Sequence, residues 1–190
     1  LVSAWIQDRQ LPAAWLSLED LDNDPTRFTS YMLAAFEKGA PTIKAPEIPS
    51  HPHAGVELES TVIIPLLNQI NRLDETMIFV LDDYHCIEDT AVHQIVSYIL
   101  ENMPPQVHVV LLTRADPPLP IPRLRGRGQI NELRMEDLRF HPEETQSFLQ
   151  WFETIHLSLD DVQTLTQRTE GWIAGIQMAA VSLRDHADQH

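Results

Sequence analysis

Two neighbouring carboxylates, Asp82 and Asp83, follow directly after the apolar run 77–81. A short apolar run of this kind is typical of a buried strand, and the ligands of open α/β sheets collect at the carboxyl ends of such strands. Asp82 could hold Mg²⁺, which prefers hard oxygen ligands, and Asp83 could polarise the water that attacks a γ-phosphate. An equally open alternative is that one of the two acids caps the helix that follows.

A hydroxyl and a guanidinium, Thr113 and Arg114, end the next apolar run, residues 107–112. In a parallel sheet this strand end would lie at the same edge as the two carboxylates, where its polar groups could contact a terminal phosphate. A single arginine is more often a solvated surface residue, but an acidic strand end followed by a basic one is more specific than either alone. We therefore predict a site in which Asp82 and Asp83 are catalytic and Thr113 and Arg114 contact the nucleotide.

The elements that would position these residues alternate between apolar runs and amphipathic helices. This alternation predicts an α/β domain with a parallel sheet over residues 1–140, and three short helices then predict a small helical subdomain over 141–190. Asp24 is expected to cap one helix, with Pro25 at its first position. The predicted strands span 13–18, 77–81, 107–112 and 129–135, and the predicted helices span 2–9, 25–39, 56–73, 91–100, 143–152, 159–167 and 172–184.

The composition restricts the partners of the chain. A formal charge of −15 argues against direct contact with nucleic acid, because binding to a phosphate backbone needs a basic surface. The sequence shows neither a secretory signal nor an apolar stretch long enough to cross a bilayer, so we expect no membrane contact and a cytoplasmic location. Six of the thirteen basic residues are arginines between positions 114 and 139, a concentration that could face an anionic ligand.

Six segments of the sequence together form a recognisable series of motifs. They are 15–18, 22–28, 81–85, 112–120, 123–128 and 133–140. In this order they resemble the MalT-like regulators, which are large LuxR-type transcriptional activators with a STAND-class ATPase domain. The resemblance implies a P-loop NTPase-type core in which Asp82 and Asp83 are the Walker B acids, Asp82 binds Mg²⁺ and Arg114 is the sensor 1 arginine. It also implies ATP or ADP as the ligand.

The phosphate-binding loop GxxxxGK[ST] is absent from residues 1–190. Its backbone amides and lysine would hold the phosphates of a nucleotide. In the resembled family a helix similar to residues 1–5 follows directly after that lysine, so we expect the chain to begin just after the loop, without the first strand of the sheet. We accordingly expect weak or no ATP binding by these residues alone, and self-association through unpaired strand edges.

Three functions are compatible with these features. The first is the switch module that the resemblance implies, with downstream sensor repeats and a helix-turn-helix DNA-binding domain elsewhere in the full-length protein. The second is an enzyme that uses nucleotide to act on a small substrate, for which the sequence offers no acid or base outside the phosphate site. The third is a protein-interaction or oligomerisation domain with vestigial NTPase features, in which Asp82→Asn would have no effect.

Overall fold

The computed structural model describes residues 1–49, 58–152, 155 and 157–187. Their contacts divide the chain into two compact units, Leu1–Gly126 and Arg127–His190. The domain boundary expected between residues 140 and 141 stays a prediction, because a division by contacts does not establish which segments fold independently. Among the described residues, none of the helices combines the length and the apolar character that a membrane span needs.

The first unit contains a three-stranded parallel sheet in the order β1-β2-β3. Near the carboxyl ends of the strands, Leu16 of β1 lies opposite Leu81 of β2, and Leu81 lies opposite Leu111 of β3. This arrangement confirms the predicted α/β class with a parallel sheet. The strands are β1, Ala13–Ser17; β2, Met77–Asp82; and β3, Val107–Leu111.

Helices of the first unit follow the predicted order. A π-helical turn, Glu59–Ile63, leads into α3, whereas residues 56 and 57 of the helix predicted over 56–73 lie outside the described residues. The cap at Asp24 is confirmed, since its side chain accepts a hydrogen bond from the backbone N–H of Arg27 at 2.7 Å. The helices are α1, Val2–Arg9; α2, Pro25–Gly39; α3, Ile64–Ile70; α4, Thr90–Asn102; and α5, Ile121–Gly126.

The main core packs α2, α3 and α4 against one face of the sheet. β2 is buried along Met77–Leu81, and the rings of Phe36 on α2 and Phe79 on β2 lie 4.6 Å apart. α1 is different, because none of its residues is buried and even Trp5 is 42% exposed. Burial of apolar side chains therefore fixes the central strand and three of the helices but not α1.

The second unit is helical, as predicted, around a small core of Leu149, Val162, Ile176 and Ala180. The strand predicted over 129–135 is wrong. Residues 129–134 are irregular and α6 begins at Met135, because Leu133 and Met135 are 71% and 50% exposed and provide no buried face for a strand. The helices are α6, Met135–Leu138; α7, Pro142–Leu149; α8, Leu159–Arg168; and α9, Ile173–Ala187.

Replacing Gly39 with alanine is expected to destabilise the first unit. An added Cβ would lie 2.4 Å from the carbonyl oxygen of Ala13, where two backbone segments meet and neither is a flexible side chain. Such overpacking typically costs about 1–3 kcal/mol of unfolding free energy. Gly126→Ala is the matched control, because a Cβ there meets no atom within 4 Å. Equal urea midpoints for Gly39→Ala and the unsubstituted chain would contradict the close approach.

Candidate functional site

The four predicted site residues meet at one edge of the sheet. The backbone N–H of Leu112 donates to the carbonyl of Leu81 at 2.9 Å, and the N–H of Tyr84 donates to the carbonyl of Leu112 at 3.0 Å. This register continues the β2–β3 ladder past the last paired residues, Leu81 and Leu111. Asp82 and Asp83 therefore lie directly beside Thr113 and Arg114, which is the juxtaposition that the sequence predicts.

Asp82 is the last residue of β2 and is half-buried. Its carbonyl accepts a hydrogen bond from the N–H of Leu18 at 3.0 Å, so its backbone is bound to the β1 side of the sheet. One carboxylate oxygen accepts from the N–H of Asp83 at 3.1 Å. The second oxygen makes no hydrogen bond to any residue that the structure describes, which gives Asp82 a donor atom for a cation.

Asp83 has a left-handed backbone, with φ 54° and ψ 38°. Residues other than glycine rarely adopt this conformation, aspartate and asparagine being the most tolerant, and strained residues of this kind concentrate at functional sites. Its exposed carboxylate makes no capping hydrogen bond, although Asp83 precedes the 3₁₀ turn Tyr84–Cys86. Asp89 instead caps α4, accepting from the N–H groups of Ala91 and Val92. The capping alternative therefore does not account for the acid pair.

Several charges at this edge act on the same group, the Cys86 thiol. Burial raises the pKa of Cys86, Asp20 and Asp83 raise it further, and the guanidinium of Arg114 opposes them. Arg114 is exposed and makes no ion pair with any residue that the structure describes. Asp83 and Arg114 thus lie within electrostatic reach of one sulfur atom, not at opposite margins of the molecule.

Other arginines between positions 114 and 139 pair with glutamates. Arg123 pairs with Glu101 at 2.6 Å, and Arg139 pairs with Glu170 at 3.3 Å. Arg134 makes an ion pair with its near neighbour Glu132. At least three of the six arginines between positions 114 and 139 therefore pair with glutamates, whereas Arg114 follows the end of β3 at the edge that carries the acid pair.

Sequence reasoning missed an asparagine that joins the ends of β1 and β2. The Asn23 side-chain amide donates to the carbonyls of Asp20 at 3.0 Å and Cys86 at 2.8 Å. Its oxygen accepts from the N–H groups of Glu88 at 2.6 Å and Asp89 at 2.8 Å. Asn23 thereby fixes the segment after the acid pair, and only its place in a polar turn after an apolar run could have signalled it.

A buried tyrosine–histidine pair supports the same segment. The Tyr84 hydroxyl lies 2.9 Å from Nδ1 of His93 on α4, and both side chains are buried. Burial raises the pKa of Tyr84 and lowers that of His93, so the geometry fits a neutral imidazole that accepts the hydroxyl proton. This contact joins the turn after Asp83 to the core, and no periodic pattern of residues predicts it.

No metal centre made by protein alone is present in the part of the chain that the structure describes, where no group of three or more histidine, cysteine, aspartate or glutamate side chains converges. A cation at Asp82 would therefore need other ligands. Mg²⁺ commonly meets this condition, because it retains several waters and binds one or two carboxylates together with substrate phosphates.

Comparisons with known proteins identify relatives of the chain, although no family model matches it. It is 33% identical over 186 residues to the HTH-type transcriptional regulator MalT of Yersinia enterocolitica. It is 32% identical over 186 residues to the regulators of the same name in Yersinia pestis and Yersinia pseudotuberculosis. Each alignment covers 97% of this chain and 20% of the relative, so the chain spans about a fifth of the length of these relatives.

Removing the Asn23 amide is expected to loosen the segment that follows the acid pair. Asn23→Ala deletes four hydrogen bonds to backbone groups, and we expect a loss of about 2 kcal/mol in unfolding free energy. Hydrogen exchange at Glu88 and Asp89 should accelerate as well. Asn71→Ala is the control, because that side chain is exposed. Unchanged hydrogen exchange at Glu88 and Asp89 in Asn23→Ala would show that the four Asn23 hydrogen bonds, here called the Asn23 clamp, are dispensable.

Mild acid is expected to destabilise the first unit through His93. Because burial lowers its folded-state pKa below the ordinary value of 6.5, the unfolded chain takes up the proton first as pH falls. The contribution of His93 is therefore complete above about pH 6.5 and is lost as pH falls toward the folded-state pKa. Urea unfolding between pH 8 and 5 should show this loss.

His93→Asn should flatten that part of the pH profile, since the titrating group is removed. The matched variant His108→Asn replaces an exposed histidine on β3 and should leave the slope unchanged. If both variants retained the slope of the unsubstituted chain, His93 would not be its source.

Proposed function

We propose that this chain, whose resemblance to the MalT-like transcriptional regulators is confirmed along 97% of its length, contributes the acid and sensor residues of a nucleotide-binding regulatory switch. Asp82 would hold Mg²⁺, Asp83 would polarise the attacking water, and Thr113 with Arg114 would contact the terminal phosphate. ATP and ADP would be the ligands of the full-length protein, which would bind to and stabilise different conformations of the switch.

The observation that carries this proposal is the juxtaposition of an acidic and a basic strand end. Asp82 and Asp83 lie at the end of β2, and Thr113 and Arg114 follow the end of β3. Both strand ends lie at one edge of a parallel sheet. Neither acid is used as a helix cap, and Asp83 adopts a strained backbone conformation. A purely structural role for the pair leaves these features unexplained.

The donor groups fit the chemistry that a Mg²⁺–nucleotide complex needs. Asp82 offers a hard carboxylate oxygen from a half-buried position, so its orientation is restricted by the strand. The exposed carboxylate of Asp83 can accept a proton from water or orient that water. Arg114 can donate several hydrogen bonds to phosphate oxygens in a fixed planar geometry. When bound, the metal ion would neutralise phosphate charge, which the acids cannot do.

Other functions of the full-length protein would belong to other segments. The relatives are named as HTH-type transcriptional regulators, and we propose that DNA recognition and inducer sensing occur outside these residues. A net charge of −15 agrees with a segment that does not contact DNA itself. Self-association remains part of the proposal, because nucleotide could act by changing the fraction of molecules that are competent to associate.

The proposal is tested by restoring a phosphate-binding loop. The sequence that precedes the matched region in the Yersinia enterocolitica relative would be joined ahead of Leu1, and Mg-ATP binding measured by isothermal titration. We expect the 190-residue chain to bind weakly or not at all and the extended chain to bind. In the extended chain, Asp82→Asn should weaken Mg-ATP binding at least about tenfold, because a charge-assisted contact is lost.

Asp74→Asn is the matched control, because Asp74 is an exposed aspartate just before the opposite end of β2. It removes the same charge near the opposite end of β2 but should leave Mg-ATP affinity unchanged. Equal affinities for Asp82→Asn and Asp74→Asn would favour the interaction domain with vestigial acids. Micromolar Mg-ATP binding by the 190-residue chain would instead contradict the expected need for the loop.

A further inference from the structure

The second unit carries a groove that the nucleotide site does not use. It runs along the exposed side of α7 and continues past the end of that helix to Trp151. Its volume is about 370 Å³, within the range of pockets that bind small molecules or single side chains. The lining residues are Phe140, Glu143, Glu144, Ser147, Phe148 and Trp151.

Aromatic rings form the floor and one wall of this groove. Phe148 is held from below, since its ring lies 6.3 Å from that of Phe140, edge to face, and 5.6 Å from that of Phe152. The ring of Trp151 lies 6.1 Å from Phe148 on the outer side, and Trp151 is 83% exposed. The groove therefore combines a phenylalanine ring in contact with other aromatic rings and an exposed tryptophan, a residue type enriched at binding hot spots.

Two carboxylates, Glu143 and Glu144, also line the groove. Glu144 is held in place, because its side chain accepts from the N–H of His141 at 2.8 Å. The carboxylate of Glu143 makes no ion pair or hydrogen bond with the residues that the structure describes. Acids in the first turn of a helix are stabilised by its dipole, which accounts for their residue type. The dipole does not account for an exposed tryptophan lying beside them.

We propose that this groove binds a basic segment of a partner protein, with an arginine side chain entering between Trp151 and Glu143. The guanidinium would stack on the indole or the Phe148 ring, and its N–H groups would pair with the Glu143 carboxylate. The aromatic rings and the glutamates of the groove together suit an apolar or an acidic segment less well than a basic one. An uncharged apolar segment would desolvate the glutamates without compensation, and an acidic one would be repelled by them.

Net charge disfavours a second copy of this chain as the occupant of this groove, which leaves self-association through other surfaces open. Each copy carries −15, so long-range repulsion opposes an encounter between two copies, whereas it steers a basic partner toward the groove. Nucleic acid is disfavoured for the same reason. The inference rests only on the second unit and is independent of nucleotide binding at the sheet edge.

A pair of peptides that differ only in charge tests the proposal. The probes are acetyl-Gly-Gly-Arg-Gly-Arg-Gly-Gly-amide and the same peptide with citrulline, which keeps the shape but not the charge. The readout is the ¹⁵N–¹H signal of the Trp151 indole, assigned by its loss in Trp151→Phe. We expect a saturable shift with the arginine peptide that weakens at high salt, and at least a severalfold weaker response to citrulline.

Substitutions in the groove sharpen the test. Glu143→Gln should weaken the arginine peptide about 2- to 5-fold, as loss of one exposed ion pair does, and Trp151→Ala should weaken it at least as much. Both residues are exposed, so the fold should survive, which the remaining amide spectrum reports. Glu136→Gln, an exposed glutamate in the first turn of α6, is the matched control and should have no effect.

Three results would overturn the inference. Equal affinity for the arginine and citrulline peptides would show that the groove does not read charge. Unchanged arginine-peptide affinity in Glu143→Gln would remove the proposed pairing. Concentration-dependent self-association that disappears in Trp151→Ala, seen by light scattering, would make a second copy the occupant.

Discussion

Parallel pairing of β2 with both of its neighbours is the constraint on which the structure of the site depends. Residues Met77–Leu81 are buried on all sides, so no charged group can be placed among them without a large desolvation cost. The strand can carry a carboxylate only where it leaves the core, at Asp82. The N–H of Leu18 donates to the carbonyl of Asp82 and the N–H of Leu112 donates to the carbonyl of Leu81, so the backbone at that point is held from both sides. The acid pair, the Thr113–Arg114 pair and the Asn23 clamp are all positioned by this one register.

Much of this arrangement could be predicted because it depends on short-range patterns. A five-residue apolar run identifies β2 wherever it lies in the sheet, and the sequence Asp24-Pro25 specifies a helix start through local sterics and one hydrogen bond. Adjacency of β2 and β3 then follows from the tendency of successive parallel strands to be neighbours. These three inferences suffice to bring Asp83 and Arg114 to the same edge.

The features that sequence could not supply depend on contacts between distant residues. Asn23 reaches backbone groups more than sixty positions away, and the left-handed turn at Asp83 is held by Tyr84, whose partner His93 lies on another element. The mistaken strand at 129–135 has the converse cause. Its apolar residues suit a strand only when a sheet covers them, and Leu133 is largely exposed. Local pattern therefore indicates which segments can be ordered, and tertiary contacts decide which conformation they adopt.

Charge at the sheet edge sets how the proposed switch would discriminate between ligands. Asp22 is already neutralised, because its two oxygens accept from Arg27 and from the N–H of Glu19. Asp82 and Asp83 end β2 at the edge where Arg114 follows β3, and the His85 ring lies 3.9 Å from the Asp83 carboxylate. Two carboxylates at this edge oppose the approach of a bare triphosphate. Under the proposed function, the same two carboxylates therefore oppose free nucleotide and favour its magnesium complex, so that the acids confer selectivity and most of the affinity must come from positive charge elsewhere.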